Sequence, residues 1–335
     1  MTTTSLGRAP DGHDVEAYTV GSGGPLTAVV MTYGARLAAL RWNARDGVRD
    51  VILPLPTLAT AVADTAYRGA IVGRVGNRIG GGRFMLDDRE VRVDANEGAN
   101  TLHGGTAGFD RAVWRAVADH DAAVTLTHNS PDGDQGFPGR LHATVRYAVD
   151  GADLIIDYTV EADAPTPANL TNHAYFNLDG GADILGHTLT LHADAITAVR
   201  PDMIPTGERR PVAGTPFDFR TPRTIGDRIG ADDAQLRIEP GYDHNFILAD
   251  AAREVPAEAC VLQAGGIAMA VLTTEPGVQF YSGNMMPAAG LPYRGALCLE
   301  TQGWPDAVNQ PGFPSAIVRP GMPRHSRTIL RFTNC

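Results

Sequence analysis

Residues 142–149, HATVRYAV, and 153–162, DLIIDYTVEA, alternate apolar with polar or β-branched side chains, and Asp150-Gly151 stands between them. A period of two sends one set of side chains to a buried sheet face and the other outward, and Asp-Gly is a hairpin turn sequence. The same pattern returns in TAVVMTY (27–33), AVTLTH (123–128), HTLTLHA (187–193), IAMAVLTTE (267–275), VQFYSG (278–283) and RTILRF (327–332). Further turn signals stand at Asp132-Gly133, Asp179-Gly180-Gly181 and Gly265-Gly266. Helical character is confined to Leu55–Thr65, which follows two prolines and carries no clean amphipathic stripe. Many short strands and few helices predict an all-β chain, a large antiparallel β-sandwich rather than a doubly wound α/β fold. No linker, low-complexity tract or fixed-period repeat divides it, so residues 1–335 read as a single domain.

The net charge of -10 leaves no basic stripe to follow a phosphate backbone, which argues against nucleic acid and anionic membrane and for a neutral small molecule. Cys260, Cys298 and Cys335 are odd in number and form no C-x-x-C pair, which fits reduced thiols in a cytoplasmic setting rather than a disulfide framework or thiolate zinc. The N-terminus, MTTTSLGRAPDGHD, has no basic region followed by an apolar one, so neither a cleaved signal nor a membrane span is expected.

Polar residues concentrate in five places: GRVGNRIGGGRF with Asn77 and Arg78, NEGANTLHGGTAGFD around His103, NLTNHAYFNLDG around His173, GYDHNF with Asp243 and His244, and CLETQGWPDAVNQPGF, where Glu300 ends an apolar run. Carboxylate, amide and guanidinium groups beside aromatic and apolar surface suit a polyol, whose hydroxyls and C–H faces need both. The glycine-rich GRVGNRIGGG lacks the G-K-[ST] ending of a phosphate loop and any helical continuation, so it reads as a turn at a sheet end.

Taken in order, GRVGNRI, NTLHGGTAGFD, QGFPG, NLTNHAYFNL, IPTGE, TPFDFR, GYDHNF, PGVQFYSGN and LETQGWPDAVNQPGFPS resemble the aldose 1-epimerase (galactose mutarotase) family from about Gly12 to Phe332. The resemblance implies a β-sandwich of the galactose-mutarotase kind that interconverts the α and β anomers of a free aldose without a cofactor. It also implies Glu300 as general base, His173 as general acid and His103 as an assistant at the ring oxygen. Asn77, Arg78, Asp243 and Gln279 would hold sugar hydroxyls or orient the catalytic groups. The chain departs from the family in VILPLPTLATAVADTAYRG (51–69) and GMPRHSRT (321–328), which bears on substrate preference rather than on the chemistry.

The chemistry of ring opening agrees. A proton must leave the C1 hydroxyl while another reaches the ring oxygen, so a base and an acid must flank one C–O bond. A glutamate is ready as a base near neutrality, whereas a histidine is expected to serve as the acid once Asp243 or Glu300 raises its pKa. A metal site from His103, His173, His244 and Glu300 is the competitor by ligand type, but no metal-ligand spacing supports it, so no metal is expected. A non-catalytic sugar-binding or sensing module on the same sandwich is the alternative from another class, and a glycoside hydrolase using Glu300 and Asp243 a weaker one. His120, His128, His187, His192, His244 and His325 read as structural. The expected partner is a small-molecule aldose, and the expected assembly a monomer or homodimer.

Overall fold

The computed structural model describes residues 1–119 and 122–335, so His120 lies outside the described residues. Three antiparallel sheets carry most of the strands. The first is a five-stranded meander through Thr2–Arg8, Asp14–Val20, Leu26–Met31, Arg36–Ala44 and Gly47–Asp50. The second has nine strands, in the order Arg115–Ala118, Ala123–Ser130, Leu141–Asp150, Asp153–Ala162, Arg324–Asn334, Ile267–Thr273, Ala257–Ala264, Thr188–Leu191 and Arg223–Thr224. The third has six, in the order Tyr175–Phe176, Leu297–Gln302, Gly277–Tyr281, Asp243–Ile247, Ala195–Val199 and Pro205–Pro211. The C-terminal strand Arg324–Asn334 lies between Asp153–Ala162 and Ile267–Thr273, so the last residues join the two halves of the largest sheet.

The alternation read from the sequence is the alternation of burial. Along Leu141–Asp150, the side chains of Leu141, Ala143, Val145 and Tyr147 are fully buried while those between them are partly exposed. These residues join one core with Val20, Val30 and Leu40 of the five-stranded sheet and Phe246, Phe280 and Leu299 of the six-stranded one. Apolar faces of facing sheets close on each other, and burial of each large side chain contributes roughly 1.5–3 kcal/mol.

The expected helix is present as Leu58–Ala63, shorter than the sequence suggested. Thr57 caps it, accepting the Thr60 N–H at 3.2 Å, while the Thr60 hydroxyl accepts the Thr57 N–H at 3.3 Å. A second short helix, Ala234–Ile238, was not foreseen; Asp233 caps it by accepting the Gln235 N–H at 2.9 Å. Among the described residues no helix is long and apolar enough to cross a membrane.

Candidate active site

The register of the six-stranded sheet explains why an apolar run ends in an acid. Glu300 lies opposite Gln279 and Gln279 opposite Asn245, while Cys298 lies opposite Tyr281 and Tyr281 opposite Asp243. Because directly opposed residues and residues two apart share a face, all six side chains project from one side of these strands. Phe246, Val278, Phe280, Leu297 and Leu299 project from the other side into the core. Glu300 therefore ends a core strand only in sequence. In space it belongs to a polar face that floors a cleft of about 600 Å³.

The cleft gathers six of the seven residues proposed from sequence: Asn77, Arg78, His103, His173, Asp243 and Glu300. Gln279 is absent from its wall. It stands behind Asp243 and donates from Nε2 to Asp243 Oδ1 at 2.7 Å. His244, one residue along from Asp243, faces away from the cleft; its Nδ1 accepts the Asp243 N–H at 3.2 Å and its Nε2 meets Gln235 Oε1 at 3.2 Å. Thr301, Gln302, Trp304, Asp306, Asn309 and Gln310, the polar and aromatic residues after Glu300, also lie outside the wall. Asp306 and its neighbours fold the following loop, with Asp306 accepting from Gly80 N at 2.9 Å and from Asn309 Nδ2 at 2.7 Å.

Two short ladders deliver the histidines. Arg78–Ile79 pairs with Thr101–Leu102, and at its end Asn77 and His103 both adopt left-handed backbone, with φ of 60° and 52°. Their contact is reciprocal, the His103 N–H donating to Asn77 O at 3.0 Å and the Asn77 N–H to His103 Nδ1 at 3.1 Å. Gly104 lets the turn after His103 press against Gly73, since a Cβ there would lie 1.9 Å from the Gly73 carbonyl oxygen. Thr171–Asn172 pairs with Ile71–Val72 and leads into His173, whose N–H donates to Ala70 O at 2.9 Å.

At the floor, His173 Nε2 lies 3.8 Å from Glu300 Oε2, and the rings of His103 and His173 meet edge to face at 5.1 Å between centroids. Glu300 is 3% exposed, and its Oε2 has no hydrogen-bond partner among the described residues. Arg78 is held in a bidentate grip, donating from Nε and Nη2 to Glu97 at 2.6 and 2.7 Å, with Nη1 4.0 Å from Asp243 Oδ2.

Burial dominates the electrostatics and corrects one expectation. It pushes the Glu300 carboxyl well up, helped by the nearby Asp243 charge, and it pushes His173 down to about 4, against the expectation that carboxylates would raise it. Desolvation outweighs the carboxylates because a carboxyl that is itself driven towards neutrality stabilises imidazolium poorly. Burial likewise lowers His103, aided by His173 and Arg78, and raises Asp243. Burial therefore favours a protonated Glu300 carboxyl beside a neutral His173 imidazole, one proton between the two groups.

His103 has a fixed tautomer. Its Nδ1 accepts a backbone N–H, so the neutral ring carries its proton on Nε2. The three groups His103, His173 and Glu300 offer ligand atoms within 4.8 Å of one another, which by distance alone could surround a metal ion. A metal-binding histidine ordinarily donates from its second nitrogen, whereas His103 accepts there, so its Nε2 is a donor to an oxygen and not a metal ligand.

Several residues of the cleft were not singled out from sequence. Tyr67, in the divergent 51–69 segment, lies against His103 and His173, with ring centroids 4.7 and 5.9 Å away. It is brought there by the buried Asp64, which accepts from Arg36 Nη1 at 3.2 Å and from Arg68 N at 2.8 Å. Glu97 and Glu239 also line the cleft; burial, then the Asp243 charge, holds the Glu239 carboxyl up at about 7. Glu97 falls inside the cluster around His103, and Glu239 stands two residues before GYDHNF, but neither spacing nor composition marks them.

Residues 16–331 match the family model described as aldose 1-epimerase. The chain is 42% identical to the galactose mutarotase of Bos taurus over 295 residues, 84% of each protein. It is 38% identical to the aldose 1-epimerase of Escherichia coli K12 over 315 residues, 90% of each. The aldose epimerase homologue of C. elegans superposes with a TM-score of 0.87 at 28% identity, covering 95% of this chain and 98% of that one. The galactose 1-epimerase of Lactobacillus acidophilus gives the same TM-score at 27% identity, covering 100% and 99%. Fold, cleft and these likenesses converge: the chain belongs to the aldose 1-epimerase family and is an isomerase of the mutarotase type.

Proposed function

We propose that the cleft opens and recloses the ring of a free aldose, with Glu300 as base at the C1 hydroxyl and His173 as acid at the ring oxygen. The observation that carries this reading is the opposition of Glu300 Oε2 and His173 Nε2 across 3.8 Å at the floor. A hemiacetal carries its hydroxyl and ring oxygens on one carbon, so an acid and a base this close can address both. Sugar hydroxyls donating to Glu300 stabilise its carboxylate, and the shared proton then resides on His173, which is where the opening step needs it. His103, with Nε2–H towards the cleft, supplies a neutral hydrogen bond at the ring oxygen. Asn77, Arg78 and Asp243 hold hydroxyls, and Gln279 orients Asp243. After rotation about C1–C2 the two groups exchange roles and close the other anomer.

No metal or organic cofactor enters this scheme, and no nucleic acid or membrane. We read residues 1–335 as one domain, a reading supported by the interleaving of early and late strands in the nine-stranded sheet. We place it in the cytoplasm, as a monomer or homodimer.

Glu300→Gln keeps the volume and removes the base, so mutarotation of a fresh α-aldose, followed by optical rotation with and without a chelator, should fall about 10² to 10⁴-fold while sugar affinity changes little. A variant that equilibrates anomers at the unmodified rate would remove Glu300 from the mechanism.

A further inference from the structure

His173 faces Glu300 through Nε2, and its other nitrogen also has a partner. Cys298 Sγ lies 3.5 Å from His173 Nδ1. Cys298 is fully buried and packs with Ala66, Tyr175, Met286 and Ala296, the Tyr175 side chain being a second hydrogen-bonding neighbour of its thiol. It does not line the cleft, so it cannot touch a substrate there.

An acid that works at Nε2 constrains Nδ1. Once the imidazolium has given up its Nε2 proton, the neutral ring must keep the remaining proton on Nδ1, because only a bare Nε2 can take a proton back when the ring closes. Which neutral tautomer forms is set by the hydrogen bond at the other nitrogen. His103 shows the opposite arrangement in the same cleft, with Nδ1 accepting a backbone N–H and the proton confined to Nε2. The two histidines are thus given different second partners, a donor for His103 and a soft sulfur for His173.

We propose that Cys298 is a positioning residue for the acid: its sulfur accepts the His173 Nδ1–H and so reserves Nε2, the nitrogen facing Glu300, as the one place where this imidazole loses and regains a proton. The proposal rests on the reading of His173 as the acid. A thiol suits the task better than a carboxylate would. A carboxylate at Nδ1 would also stabilise the imidazolium and weaken it as an acid, whereas a neutral, weakly accepting sulfur selects the tautomer and adds little support to the charge. That agrees with His173 being held down to about 4, and with the thiol itself being pushed well up by burial and by Glu300, which keeps it uncharged. Cys298 and Glu300 are two residues apart on one strand and share its polar face. One strand register therefore places the base and sets the tautomer of the acid together.

The test uses the intact enzyme labelled with ¹⁵N-histidine, with the His173 signals assigned by their loss in His173→Asn. At neutral pH the unmodified protein should show His173 protonated at Nδ1 and bare at Nε2. The reverse pattern, with the thiol donating to a bare Nδ1, overturns the proposal without any variant having to fold. Cys298→Ala should redistribute the proton between the two nitrogens and lower kcat about 10 to 100-fold with KM within about twofold, the range typical of a lost orienting partner. Cys298→Ser, which keeps an acceptor, should recover most of that rate and the Nδ1–H pattern. An alanine variant with the original spectrum and the original kcat also overturns it. The spectrum needs no turnover, so a protein that failed to epimerise any aldose would remove the proposed chemistry, while the spectrum would still decide which His173 nitrogen Cys298 keeps protonated.

Discussion

The most informative perturbation of this site is pH, because burial moves its two central groups in opposite directions. Turnover needs one proton on the Glu300–His173 pair, and kcat/KM reports how much free enzyme holds the pair in that state. The acid limb is the uptake of a second proton, which must go to His173. Its folded pKa is depressed to about 4 by burial, so the one-proton state persists as pH falls until that value is reached. At about pH 5 a histidine with an ordinary pKa near 6.5 would leave only about 3% of the enzyme in that state, against about 90% for a pKa near 4, a difference of roughly 30-fold. The alkaline limb is loss of the last proton, and it moves upward because burial raises Glu300. The profile should therefore be a broad plateau, not a narrow bell between ordinary carboxylate and imidazole values. Initial polarimetric rates after brief dilution into buffers from about pH 4 to 9, corrected for the spontaneous reaction, would trace it. An acid limb near 6.5 would refute the electrostatic argument, because His173 would then be protonating as though solvated.

Two further outcomes follow from the wall of the cleft. Asp64→Ala leaves the buried Arg36 with only the more distant Asp110 carboxylate, 3.9 Å away, and should cost about 3 kcal/mol in urea unfolding while lowering kcat/KM through the displaced Tyr67 loop. Glu239, held at about 7, gains charge as pH rises through that value, so inhibition by an anionic sugar such as glucuronate should weaken from about pH 6 to 8; Glu239→Gln should flatten that dependence.

What could be read from the sequence was whatever depends on local pattern. The period-two runs gave the strands, and they explain Glu300: in Leu297–Gln302, the alternation that buries Leu297 and Leu299 turns Cys298 and Glu300 to the opposite face. Asn77 and His103 were recognisable within their glycine-rich turns, whose left-handed residues bring them into contact. What escaped depends on contacts between distant segments. Tyr67 reaches the histidines through Arg36 and Asp64, 28 residues apart in the chain. Ala234–Ile238 is too short to show a helical period. The direction of the His173 shift escaped because desolvation sums over everything packed around the ring, and no spacing in the sequence encodes that sum.

The polar face also shows what holds this site in register. Both side-chain polar atoms of Asn245 and Gln302 are buried and have no hydrogen-bond partner among the described residues, as is the case for Gln279 Oε1 and Glu300 Oε2, all on the same side of three neighbouring strands. Gly277 lies among them, and a Cβ there would come within 2.4 Å of Asn245 Oδ1, so the layer is packed as tightly as a core while lacking a core's apolar character. Such groups destabilise a fold, and they persist where the surrounding structure holds them. Here the holding is done by the same strands, whose opposite face carries Phe246, Val278, Phe280, Leu297 and Leu299 into the main core. A slip of one residue in Leu297–Gln302 would exchange its faces, burying Glu300 in the core and turning Leu297 and Leu299 to the cleft. The apolar side therefore fixes the register, and the register places Glu300 against His173.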